Sequence, residues 1–430
     1  MKILIVNSLY PPYVIGGAEI SSQKLAEELA KAGHEVAVLA TGESDNYEEA
    51  NNVKIYRRRF TNIMSFWEFK RSTPGKRLAY KFLDLYSPFN KKAIMEVLRL
   101  VNPDVIHTNT IYGITPAIWD CASSLRIPVV QTLRDYYLMC PKANLMPGKG
   151  GKCENPNIAC KMFRTFHRKK SLKVSAVTAP SKFTLNRFLD DGYFTNSIKQ
   201  VVYNAIDYDA DRFAELAELK MSMQNKTMHV AYIGSFIETK GIQILLKAIE
   251  QCNGKMMFHF AGKGRLLPEI QKAAEKNGNI VIEGFLSENK LNELMERMDL
   301  LVCPSVWDEP FGRVIIDAYK SCVPVIGTNC GGIPELIENG VTGLIIEKNS
   351  VDSLVQALTY MDGHKLTREM VNAMEKKLRQ FSLLSHREQF EKIYNKICGG
   401  GYFFLTPEIP NIAEISGICG RDNCWLPDIA

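Results

Sequence analysis

Glu309 and Asp317 close the segment Glu309-Pro-Phe-Gly-Arg-Val-Ile-Ile-Asp317, which follows an apolar run that stops at Pro304. Pro310 suits the first turn of a helix, so a helix is expected over Phe311–Cys322, with Glu309 in the loop before it. A carboxylate beside a helix N-terminus suits a ligand that carries hydroxyls next to phosphates. The unsatisfied N–H groups of the first turn take phosphate oxygens, and the carboxylate accepts from hydroxyls. At 1.5 Å per residue, Asp317 would lie ~12 Å along the axis from Glu309, roughly the span from sugar to ribose in a nucleotide sugar. An acidic loop followed by a solvated Asp fits the same spacing equally well.

Such side chains need a strand before them and a helix after them, and the chain repeats that pattern. The first half reads as strand Lys2–Asn7, a Pro- and Gly-bearing loop, and a helix over roughly Ala18–Lys31 with Ile20, Leu25, Leu29 and Ala32 at helical spacing. Gly33 stops that helix, and Glu35–Thr41 forms the next strand. Short apolar strands at Val105–His107, Val129–Leu133 and Ala176–Ala179 alternate with helical segments, as in a parallel, helix-covered sheet. The second half restarts with strand His229–Ile233, helix Gly241–Cys252, and strands Met257–Ala261, Val281–Glu283 and Leu300–Cys303. Two doubly wound sheets place a ligand at the carboxyl ends of their strands, in the cleft between them. Phe381–Ile397 reads as a last amphipathic helix, its apolar positions being Leu384, Phe390, Ile393, Tyr394 and Ile397.

A chain of 430 residues has room for two domains of about 200 residues each. No apolar run approaches the ~20 residues of a membrane span, and Ile3–Val6 is too short for a signal-peptide core. Eleven cysteines without a secretory signal indicate reduced thiols and a cytoplasmic protein. Charge is unevenly spread. Residues 1–203 carry 29 Lys and Arg against 17 Asp and Glu, a surplus of 12, whereas residues 204–430 carry 24 against 30. Lys54–Arg59, Lys70–Lys81 and Lys161–Lys173 hold much of the positive charge, interleaved with aromatic residues. They suit an anionic membrane surface or a phosphate-bearing acceptor, and equally a solvated face. No nucleic-acid-binding motif is present, so nucleic acid is not an expected partner. The absence of G-x-G-x-x-G after the first strand argues against a dinucleotide oxidoreductase.

The Glu309–Asp317 segment resembles the E-x7-E signature of the retaining glycosyltransferases of family 4 (GT-B fold), related to phosphatidylinositol mannosyltransferase and sucrose synthase. Further blocks resemble the same family: Pro11-Pro-Tyr-Val-Ile-Gly16-Gly17-Ala-Glu19, Ala32-Gly33-His34, Tyr232-Ile-Gly234-Ser235-Phe-Ile-Glu-Thr-Lys240-Gly241, Phe258-His-Phe-Ala-Gly262-Lys-Gly264, and Val323 to Ile337 with Gly331-Gly332-Ile333-Pro334-Glu335. The resemblance implies two Rossmann-like α/β domains facing across a cleft. The acceptor side would span residues 1–203 and the nucleotide-sugar side 204–380, with the crossing at Asn204-Ala-Ile-Asp207. A helix over 381–397 would return to brace the first domain. Residues 398–430, with Gly399-Gly-Gly401 and Cys419-Gly-Arg-Asp-Asn-Cys424, have no counterpart in it.

Transfer from a nucleoside-diphosphate sugar builds negative charge on the leaving diphosphate, which cations and amides must absorb. The resemblance makes Lys240 the phosphate-binding cation. The Arg that usually accompanies it is Ser235 here, so Arg313 or Arg265 would have to supply the second charge. It assigns donor binding to Gly16, Gly17, Gly234, Ser235, Phe311, Gly312, Arg313 and Asp317, sugar hydroxyls to Glu309, and the ribose to Asp317, where the family usually has Glu. Arg134-Asp135 stands where the family has His-Asp. An Arg stays protonated and cannot act as a general base, but it can clamp a phosphate. Asp135, His107 and Asn109 are further acceptor-side candidates, although a lone His after a strand is as often a satisfied structural residue. No cofactor or metal is expected. Asp207-Tyr-Asp209-Ala-Asp211 is discounted as a DxD metal site because it falls at the crossing, and Cys140, Cys153, Cys160 and His167 lack the spacing of a known zinc finger. The expected partners are a nucleotide sugar, a glycan or lipid-linked acceptor, and reversibly the inner face of an anionic membrane. A catalytically silent nucleotide-sugar-binding subunit, or a phosphorylase or epimerase on the same fold, are the alternatives.

Overall fold

The computed structural model describes residues 1–60, 85–146, 153, 155–223, 227–252 and 256–399. The first sheet comprises β1 (Lys2–Val6), β2 (Glu35–Thr41), β3 (Asn46–Ala50), β4 (Val53–Arg58), β5 (Val105–Thr108), β6 (Val129–Thr132), β7 (Ala176–Ala179) and β8 (Ile198–Val201). The second comprises β9 (Met228–Ile233), β10 (Met256–Ala261), β11 (Ile280–Gly284), β12 (Leu300–Cys303), β13 (Val325–Thr328) and β14 (Gly343–Ile346). Their orders are β3-β4-β2-β1-β5-β6-β7-β8 and β11-β10-β9-β12-β13-β14, and every pairing is parallel except β3 with β4. The fold is the expected α/β arrangement of two helix-covered parallel sheets. In each sheet the strand order reverses beside the first strand, between β1 and β5 and between β9 and β12. A crevice therefore opens at the carboxyl ends of β1 and β9, and the loops that follow them become ligand loops.

Burial on both faces explains the apolar runs. Ile3 to Val6 are completely buried, with Leu4 and Val6 in one apolar cluster and Ile3 and Ile5 in the other. The helix Leu383–Gly399 joins the second of these clusters through Phe390, Ile393, Tyr394 and Ile397, beside Leu25 and Leu29. Leu384, expected on its apolar face, is instead 55% exposed. The chain crosses between the sheets where Ile206 N donates to Phe381 O at 2.8 Å.

Three sequence expectations change. The helix expected over Phe311–Cys322 runs from Arg313 to Lys320. Gly312 sits at φ 97°, a left-handed conformation that a helix cannot contain, so Pro310 and Phe311 remain in the loop and the 12 Å axial spacing does not apply. The basic stretch Lys54–Arg59 mostly becomes β4. Arg57 there is buried, donating to Tyr10 O, Pro11 O and the Glu48 carboxylate, so it is no surface cation. Strands β3 and β4 form from short, charge-bearing segments whose alternation is too weak to predict them, β3 at the edge of the sheet and β4 between it and β2. The Lys70–Lys81 stretch and residues 400–430 lie outside the described residues.

Candidate active site

Two cavities open in the cleft, of about 710 and 510 Å³, and Gly17, Glu309, Gly312 and Arg313 line both. The smaller is bounded by the loop after β9 (Gly234, Ser235, Lys240), the end of β12, and the helix bearing Asp317 and Lys320. The larger faces the first sheet and includes Gly16, Glu19, Arg134, Asp135, Asn204 and Trp307.

Lys240 and Glu309 form an ion pair at the junction. Lys240 ends a 3-10 turn over Glu238–Lys240, and Gly241 follows at φ 72°. A Cβ on Gly241 would stand 1.8 Å from Pro304 O, so only glycine lets this turn press against the loop after β12. The Lys240 ammonium also lies 5.4 Å from the Trp307 ring centroid. Ser305 Oγ donates to Glu309 at 2.8 Å, leaving the buried carboxylate held by a cation and a hydroxyl.

Contacts across the cleft fix this loop. Ser181 Oγ donates to Pro310 O at 2.7 Å, and Tyr136 OH donates to Asp308 O at 2.9 Å. The Glu335 carboxylate accepts from the N–H groups of Lys182 and Phe183 at the start of the helix Lys182–Asp190, a capping contact between the two halves. Phe311 packs its ring beside Tyr203 and Phe381 and lines only the larger cavity. Its ring anchors the loop.

Of the two cations considered for the position vacated by Ser235, Arg313 lines both cavities, its Nε 3.6 Å from Asp317. Arg265 instead pairs with Glu238 on the surface and lines neither. Burial raises the Asp317 carboxyl above its usual range, although Arg313 and Lys320 oppose this.

On the side of the first sheet, Arg134 Nε donates to Asn109 Oδ1 at 3.1 Å and Nη1 to Asn204 Oδ1. Its Nη2, the Trp307 Nε1 and the Asn109 Nδ2 are buried and have no hydrogen-bond partner among the described residues. Unsatisfied buried donors are costly, and the two on residues that line the larger cavity, Arg134 and Trp307, suit a ligand rich in acceptor oxygens. Burial, and then the charge of Arg313, lowers the Arg134 guanidinium to about 10, still protonated at neutral pH. Burial pushes Asp135 up to about 6, while Tyr137 N donates to it at 2.7 Å.

His107 does not belong with these residues. It is completely buried, bonded to Tyr394 OH and Thr132 Oγ1 at 2.7 and 2.6 Å, and burial holds it well below its usual range. It ties the returning helix to the first sheet and lines neither cavity. Asn109 acts through Arg134. Glu19, Asn204 and Trp307 also line the larger cavity, although the sequence pattern gives them no role. Glu19 accepts from Gly16 N at 2.9 Å and so shapes the Gly16-Gly17 turn. One residue from each of the two metal-like motifs has a structural partner. Asp209 caps the helix Ala210–Ser222 through the N–H groups of Asp211 and Arg212. His167 is buried, its Nδ1 at 3.1 Å from Leu138 O.

Residues 15–210 match the family model described as Glycosyltransferase Family 4, and residues 220–380 match Glycosyl transferases group 1. An uncharacterized 42.6 kDa protein in the cps region of Klebsiella pneumoniae is 29% identical over 338 residues, covering 78% of this chain and 87% of that protein. N-acetyl-alpha-D-glucosaminyl L-malate synthase of Bacillus anthracis is 26% identical over 409 residues, covering 92% and 97%. Among solved structures, Anabaena HepE in complex with UDP and glucose superposes with a TM-score of 0.65 at 20% identity, covering 92% of this chain and 100% of that one. Sucrose-phosphate synthase from Thermosynechococcus elongatus gives 0.70 at 17% identity, covering 92% and 99%.

Proposed function

The chain belongs to the family 4 glycosyltransferases of GT-B fold, and we propose that it transfers a sugar, with retention at the anomeric carbon, from a nucleoside diphosphate to a glycan or lipid-linked acceptor. The observation that carries this reading is the junction itself. A phosphate-suited cavity and an acceptor-suited cavity meet at Glu309, Gly312 and Arg313, where Lys240 is paired with Glu309.

The acceptor hydroxyl oxygen bonds to the anomeric carbon as the bond from that carbon to the diphosphate breaks on the same face. The departing phosphate oxygen keeps the bonding electrons and receives the hydroxyl proton. Lys240, Arg313 and the amides at the start of the helix Arg313–Lys320 neutralise the charge that develops, so the reaction needs no metal. Glu309 orients sugar hydroxyls, and Asp317 takes the ribose directly or through water. Arg134 holds an anionic group of the acceptor through its unpartnered Nη2, in a geometry suited to phosphate. Cell-surface polysaccharide assembly at the inner membrane face fits such an acceptor.

A calorimetric screen of nucleotide sugars, followed by product analysis with the best binder, tests the reading. Binding followed by acceptor-dependent release of nucleoside diphosphate and an anomer-retained product supports it. Binding without turnover would make the chain a silent donor-binding subunit. Acceptor-independent formation of a sugar phosphate or an isomerised donor would replace transfer by a phosphorylase or epimerase activity.

A further inference from the structure

The helix Ile158–Ser171 presents an outer face that the fold itself does not use. Phe163, His167 and Ser171 bury the inner face. The exposed positions on the helix and its C-cap are Ile158, Lys161, Met162, Thr165, Arg168, Lys169 and Leu172. Ile158 is 77% and Met162 68% exposed, so two large apolar side chains stand in water among three cations, and no acidic residue shares the face. Among the described residues, Lys161, Arg168 and Lys169 form no salt bridge. The helix is firmly set, with the Asn157 side chain capping it by accepting from Cys160 N. Beside it lies a groove of about 530 Å³ lined by Lys161, Arg164, Thr165 and Arg168 and also by Asp190 and Asp191, of which Asp191 is paired with Arg164 and Arg187, so the cations free for an outside partner are those of the helix face itself.

The inner face of this helix also supports the loop of the acceptor-facing cavity. Arg164 Nε donates to Met139 O at 2.9 Å, and His167 Nδ1 lies 3.1 Å from Leu138 O. That loop carries Arg134, Asp135, Tyr137, Pro141 and Lys142, all lining the larger cavity. One element therefore has cations and apolar side chains outward and the wall of the cavity inward.

We propose that the outer face of Ile158–Leu172 docks reversibly on an anionic phospholipid surface, with Ile158 and Met162 entering the headgroup region and Lys161, Arg168 and Lys169 meeting lipid phosphates. The partner is assigned by charge complementarity: on the helix itself, apolar side chains stand among cations with no acid, while the neighbouring Asp191 is neutralised by Arg164 and Arg187, and such a face matches an anionic interface. The proposal rests on the lipid-linked branch of the proposed function, because docking here presents the acceptor cavity to a membrane-held substrate.

Co-sedimentation of the full chain with phosphatidylcholine vesicles, with and without about one-third phosphatidylglycerol, tests it. Binding should require the anionic lipid and fall steeply with salt, since the Debye length contracts from about 10 Å at 0.1 M to about 3 Å at 1 M. The Lys161→Glu, Arg168→Glu, Lys169→Glu variant should partition at least roughly a hundredfold more weakly. Ile158→Asp with Met162→Asp should also release it, with an unchanged melting profile. Lys247→Glu, Lys272→Glu, Lys276→Glu makes the same change in net charge on the second domain and should bind as wild type. Wild-type indifference to anionic vesicles at low salt overturns the proposal, as does equal loss in the second-domain control. Salt-sensitive capture by an acidic protein with no vesicle binding also overturns it. Transfer to a soluble acceptor reads the enzymatic assignment separately and should be the same in all these variants.

Discussion

Lys240 and Glu309 should behave in catalysis as one unit. Each variant alone, Lys240→Ala or Glu309→Ala, is expected to cost ~3 kcal/mol of transition-state stabilisation, about a hundredfold in kcat/KM. Independent groups would multiply to about ten-thousandfold in the double variant. The ion pair and the shared Trp307 wall predict otherwise, because Lys240→Ala already strips Glu309 of its counter-charge and leaves only the Ser305 hydroxyl. The double variant should fall within about tenfold of the worse single one, a coupling of at least 1 kcal/mol. Stability gives a second reading. Stranding the buried Glu309 carboxylate costs about 1–3 kcal/mol, so Lys240→Ala should lower the unfolding midpoint and Lys240→Ala with Glu309→Gln should recover part of it. The assay is initial rates over a donor and acceptor matrix, with calorimetric donor affinity measured on each variant. Fully multiplicative losses, or wild-type rates in either folded single variant, would refute the argument.

Arg134→Ala should raise the KM for an anionic acceptor by roughly ten- to a hundredfold while donor affinity by calorimetry stays within twofold, and Arg134→Lys should recover only part of it. Asp135 is pushed up to about 6, above its unfolded value, so its ionisation opposes folding as pH rises through 4 to 6. Asp135→Asn should therefore stabilise the protein by up to about 3 kcal/mol at pH 7–8 and by nothing below about pH 4, by denaturant titration. His107, His167 and His386 are held neutral by burial, below their unfolded range. Their contribution is intact above about pH 6.5 and is lost on acidification, with a limiting slope of about 4 kcal/mol per pH unit that chemical denaturation at pH 7, 6 and 5 should detect. Transfer should persist in chelator; complete loss restored by Mg²⁺ or Mn²⁺ would expose a metal requirement.

What the sequence determined was local. A strand that ends in a glycine- or proline-bearing loop and runs into a helix is written in consecutive residues, so Gly16-Gly17, Gly234–Lys240 and Glu309–Asp317 could be located, and Arg134 singled out, without coordinates. The backbone of these turns is dictated by residue type, as the positive φ of Gly241 and Gly312 shows. Tertiary structure decided which side chains meet. Lys240 and Glu309 lie 69 residues apart, and Arg134 and Asn204 70 apart. The arrangement of the loops within the second domain puts Arg313 on the cleft and leaves Arg265 on the surface with Glu238. The same distance rule separates His107, spent on Tyr394 of the returning helix, from the residues it was grouped with. In sequence Arg57 reads as part of a surface charge patch because its partners, the carbonyls of Tyr10 and Pro11 in the loop after β1, are brought to it only by the pairing of β1 with β2 and of β2 with β4. Side-chain chemistry is inherited from the sequence. Its use depends on burial and partners, which are set by contacts between residues far apart along the chain.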